Sequence, residues 1–85
     1  MTDQQKAFLH AIEMANLSQR AMQAIINTFN GNLTKEQARE AIDFKIAQMK
    51  CGIESNSNLS RKQKDYEISI RESRFNALKV SMGLN

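Results

Sequence analysis

Proline and tryptophan are absent from the sequence, and cysteine and histidine occur once each. Without proline, and with only three glycines in 85 residues, the chain lacks the turn chemistry that an all-β or alternating α/β fold requires. The single cysteine, Cys51, cannot close an internal disulfide, and the single histidine, His10, cannot supply a zinc site. No apolar run approaches the roughly 20 residues that span a bilayer, and Met1-Thr2-Asp3-Gln4-Gln5 has neither the basic nor the apolar segment of a secretory signal. These absences predict a single all-α domain over residues 1–85, cytoplasmic and off the membrane. A chain of 85 residues buries only about 60–65% of its unfolded surface. With disulfide and metal excluded, association is the common remaining source of stability.

What is present is helical punctuation. The Ser/Thr-x-x-Glu/Gln capping box, in which the first side chain bonds the third-position amide and the last reaches back to the cap's own amide, occurs as Thr2…Gln5, Thr34…Gln37 and Ser60…Gln63. Gly31, Gly52 and Gly83 each follow a periodic stretch, where glycine tolerates the left-handed conformation that ends a helix. Together these signals predict a three-helix bundle with helices near 3–30, 35–51 and 61–82. Asn16-Leu17-Ser18 repeats the sequence found before the other two helices, Asn32-Leu33-Thr34 and Asn58-Leu59-Ser60, and marks a point where the first helix can be interrupted. Asn30-Gly31-Asn32-Leu33 reads as a tight turn, and the polar run Glu54–Asn58 as a looser connection.

The apolar residues divide unevenly among the helices. Phe8, Ile12, Ala15, Gln19, Met22, Ile26 and Phe29 follow four-three spacing on one stripe, with Gln19 its one polar member. The third predicted helix carries two opposed stripes instead, Tyr66, Ile70, Ala77 and Val80 against Ile68, Phe75, Leu78 and Met82. The second shows a weaker version, Ile42, Ile46, Met49 and Ile53 against Phe44, Ala47 and Cys51. One stripe suffices for a lone bundle, so a second predicts a covered second surface. The expectation is a homo-oligomer whose interface is Ile68, Phe75, Leu78 and Met82.

Residues suited to chemistry are few. His10 and Cys51 have no partner in sequence that would make either a nucleophile or a base. The carboxylates Glu36, Glu40 and Asp43 are interleaved with Lys35, Arg39 and Lys45, the pattern of a solvated helix face. Glycine-rich phosphate loops, calcium loops and Cys/His metal spacings are all missing. The expectation is therefore no catalytic residue, no metal and no cofactor. Arg61, Lys62 and Lys64 form the one unusual cluster. Cations in a first turn oppose the helix macrodipole, and together with free helix amides they make a candidate contact for an anion or a partner. The region 61–82 carries the whole net charge of +3. A value so small, with few aromatics to stack on bases, does not favour nucleic acid.

Ser69-Ile70-Arg71-Glu72-Ser73-Arg74-Phe75 resembles part of the last helix of phage proteins that sequester cyclic nucleotides, over seven residues and without their N-terminal motif; no function is carried over from it. In small size, abundance of Asn and Gln and lack of an active site, the chain resembles the small accessory proteins of phages and mobile elements, many of which inhibit host proteins. The expected function is that of a non-enzymatic, protein-binding helical module, an inhibitor or adaptor of another protein. The alternative is binding of an anion, nucleotide or nucleic acid through the basic turn at Arg61.

Overall fold

The computed structural model describes residues 1–15, 18–29 and 31–84, the side chain of Gln19 excepted. It is all-helical in design, with α1 at Asp3–Ala15, α2 at Gln19–Phe29, α3 at Lys35–Glu54 and α4 at Arg61–Ser81. The predicted helix over 3–30 is thus two helices, which corrects the three-helix bundle to four. Asn16 and Leu17 of the suspected break, Asn30 of the turn and the Gln19 side chain of the seam lie outside the described residues. On the far side of the break the Ser18 carbonyl already accepts from Met22 N–H at 2.9 Å, opening α2.

All three capping boxes form. Thr2 and Gln5 exchange bonds of 2.8 and 3.1 Å, Thr34 and Gln37 bonds of 3.0 and 3.1 Å, and Ser60 and Gln63 bonds of 2.8 and 3.2 Å. The glycines behave less uniformly. Gly31 and Gly83 adopt φ of +86° and +70°, where a Cβ would be strained. After α4, Gly83 N–H donates to Val80 O at 3.0 Å and Leu84 N–H to Lys79 O at 2.9 Å, the paired bonds of a Schellman turn, and they fold Leu84 back into the core. Gly52, by contrast, lies inside α3, which runs three residues past the predicted end at 51. Ser55 ends that helix in a right-handed conformation, its N–H donating to Cys51 O and its hydroxyl to Gly52 O at 3.2 Å, so no left-handed residue is needed.

α3 and α4 form an antiparallel hairpin tied by ion pairs between Lys79 and Asp43 and, at 2.9 Å, between Lys50 and Glu72. α1 lies along the first half of α3 and runs in the same direction, since Gln5 bonds to Gln37 and Glu40 while Glu13, two turns later, pairs with Lys45. α2 doubles back along α1, bringing Phe29 edge-on to Phe8 with ring centroids 5.4 Å apart. The core gathers Phe8, Leu9 and Ile12 of α1, Met22 and Ile25 of α2, Ala38, Ala41 and Ile42 of α3, Phe75 and Leu78 of α4, and Leu84. All of it lies at the end of the hairpin that α1 and α2 cover. Residues 43–74 form an unbroken run of thirty-two positions without one buried residue.

Candidate interaction surface

The α3–α4 hairpin overhangs the rest of the molecule, because α1 reaches only as far along α3 as Lys45 and Gln48. At the step where α1 stops, Ile12, Met49 and Phe75 floor an open groove of about 460 Å³, edged by Glu13, Lys45, Gln48 and Arg71. Lys45 donates to Glu13 and holds its carboxyl below the ordinary glutamate range, so this edge is an ion pair at neutral pH. Beyond the groove, Ile53, Leu59, Ile68 and Ile70 are only half-buried. A pair of helices has two flanks for each apolar stripe and no third helix to close them.

The structure redistributes the two stripes of α4. Phe75 and Leu78, each 4% exposed, belong to the core of this chain, and Met82 packs against them. Three of the four residues expected at an oligomer interface therefore face inward, and only Ile68 lies in the overhang. The reason is geometric: two opposed stripes are indistinguishable in a helical wheel, and α1 and α2 settle which one is covered. Left outside are Tyr66 at 64% and Val80 at 61% exposure. On α3 the stripe Ile42, Ile46 and Met49 faces the core, while Phe44 at 49% stays in solvent with Ala47 and Cys51.

The basic cluster at the start of α4 is largely engaged within the chain. Arg61 grips Glu54 with both terminal nitrogens, through Nη1 at 2.7 Å and Nη2, and also reaches Asp65 at 3.0 Å through Nε. Lys64 donates to the Glu54 carbonyl at 2.8 Å, where it meets the negative end of the α3 dipole. The Arg61 bond holds the Glu54 carboxyl below its ordinary range and pushes the guanidinium further up. The misplaced cations of the first turn are thus compensated, Arg61 by two carboxylates and Lys64 by a helix C-terminus, and together they close the 55–60 connection. Lys62 is the member of the cluster without a hydrogen bond or ion pair among the described residues.

His10 and Cys51 are both exposed, on different helices. No group of three His, Cys, Asp or Glu side chains stands together as a metal site among the described residues, and no helix is long and apolar enough to cross a membrane. Sequence reasoning did not find the overhang, since its signal is the unequal length of α1 and α3, and that depends on where the first helix breaks. No protein-family model, curated protein or solved structure matches the chain.

Proposed function

We propose that this protein is a non-enzymatic helical module that works in the cytoplasm by binding protein, in the manner of an inhibitor or adaptor. One observation carries the reading: the thirty-two residues 43–74 hold no buried side chain, although they contain an apolar stripe on each helix of a well-tied hairpin. Buried apolar area is the main stabilising term in folding and in association alike, so a hairpin that keeps its stripes half-open is suited to binding. The anion-binding alternative has less support, because Arg61 and Lys64 already spend their donors on Glu54 and Asp65.

A photo-activatable cross-linker placed at position 49 or 53 tests this reading in cells that make the protein. The expected result is a discrete protein adduct from those positions and none from Lys6, which is exposed on α1. Equal labelling at 6, 49 and 53, or none at all, overturns it.

A further inference from the structure

Ala41, Lys45, Gln48 and Gly52 make one line along α3 at four-three-four spacing. Ala41 is fully buried, and the next two members stand beside α1: Lys45 pairs with Glu13, and Gln48 lines the groove with Ile12. Gly52 comes next, one turn beyond the end of α1. It is helical, so it has no need of glycine's conformational freedom, and a Cβ built on it would meet nothing within 4 Å. Gly52 stands in the last turn of α3, where glycine costs less than the ~1 kcal/mol of a helix interior, and no contact among the described residues calls for it. A bare Cα at the point where the third helix is missing leaves room for the close approach of another backbone.

The exposed area gives a second measure. A monomer of 9.7 kDa is expected to expose about 5,100 Å², and this chain exposes 5708 Å². An excess of this kind is what a hairpin projecting from the body leaves uncovered. The overhang is also self-complementary in charge. Glu67 and Arg71 stand one turn apart on α4, joined by a single contact of 3.3 Å through Nε, and the terminal nitrogens of Arg71 have no partner among the described residues. In a two-fold contact residue i meets j and j meets i, so two antiparallel copies of α4 can set each Arg71 against the other's Glu67.

We infer that the overhanging α3–α4 hairpin is covered by the same hairpin of a second copy, the two closing an antiparallel four-helix bundle whose backbones approach most closely at Gly52. This rests on the protein-binding reading and names the occupant.

Size exclusion with light scattering at about 100 µM, far above a micromolar dissociation constant, is the direct test, with twice 9.7 kDa expected. Gly52→Gln should weaken the dimer at least tenfold while the protein, at concentrations where it is monomeric, melts at the same or a higher temperature. Those opposite signs cannot come from simple misfolding. Glu67→Arg should likewise weaken the dimer, and adding Arg71→Glu to it should restore most of the loss. A wild type that stays monomeric overturns the inference, as does a dimer indifferent to both the Gly52 and the Glu67 changes. If that monomer still gives a heterologous adduct from position 53, the protein-binding reading survives without this occupant; if it gives none, both fall.

Discussion

The side-chain amide of Gln5 donates to the backbone carbonyl of Gln37 at 3.0 Å, so the glutamine that closes the capping box of α1 is anchored on the one that closes the box of α3. Its own Oε1 accepts from Thr2 N–H at 2.8 Å, and at 2% exposure it is the one buried polar residue among those described. One side chain starts α1 and docks it in register on α3.

Gln5→Ala should accordingly destabilise the fold by about 1–3 kcal/mol, the sum of a lost cap and a lost buried hydrogen bond. Gln5→Glu keeps the cap's acceptor but removes the donor and sets a carboxylate beside Glu40, so its deficit should shrink as pH is lowered from 7 to 4. Urea denaturation at the two pH values measures both. A Gln5→Glu variant as stable as wild type at pH 7 would contradict this role.

The Arg61–Glu54 clamp predicts an acid sensitivity of definite sign. Glu54 is held below its ordinary range in the folded protein by Arg61, so its contribution is present above the unfolded glutamate value. It is lost as pH falls through the depressed folded value, from about pH 4 downward. Wild type should lose more thermal stability between pH 6 and pH 3 than Glu54→Gln does, and high salt should narrow the difference because the pair is exposed. Parallel curves for the two proteins would remove the clamp from the account.

Replacing Arg61, Lys62 and Lys64 together by Gln distinguishes the clamp from an anion site. From the macrodipole alone the change should leave stability intact or slightly higher. The bonds to Glu54 and Asp65 reverse that expectation, and the triple variant should melt below wild type. Fluorescence anisotropy with DNA, RNA and nucleotides should meanwhile show only weak binding by wild type, absent at physiological salt. Submicromolar, salt-resistant binding that disappears in the triple variant would establish the anion reading instead.

The two stripes of α4 should respond very differently to truncation. Phe75→Ala should cost about 3–5 kcal/mol as a core cavity, a large share of the stability of so small a domain. Val80→Ala, at 61% exposure, should stay within about 0.5 kcal/mol. Chemical denaturation ranks them, and the reverse order would mean that α4 is rotated from the orientation described.

Cys51 should react fully with a thiol reagent in the native protein, because its side chain is exposed. Cys51→Ala and His10→Gln should each keep binding function and stability, the former within about 0.5 kcal/mol since no cavity is made. A folded variant that has lost function would bring catalysis back into question.

Helix class and the starts of α1, α3 and α4 were legible because capping is local: two side chains three positions apart decide it, and tertiary context does not change the bonds that Thr2, Thr34 and Ser60 make. The ends were less legible. Gly31 and Gly83 took the left-handed turn, but Gly52 did not, since a serine at position 55 offered another way to stop. The inward face of α4 was not legible at all. Ile68, Phe75, Leu78 and Met82 form as good a stripe as Tyr66, Ile70, Ala77 and Val80, and which one is buried depends on helices far away in sequence. The basic cluster was visible, but its partner Glu54 lay across a loop of unknown path.

Because the buried residues, among those described, lie at one end of the hairpin, hydrogen exchange should be graded along it. Amide protons near Cys51 and Tyr66 need only a local fraying of two helices to exchange, whereas those near Ile42 and Leu78 must wait for the body to open. The tip should thus exchange faster than the base, and whatever seats itself on the tip should slow it without disturbing the base. Occupancy would be written in the exchange rates of one half of the chain and be silent in the other.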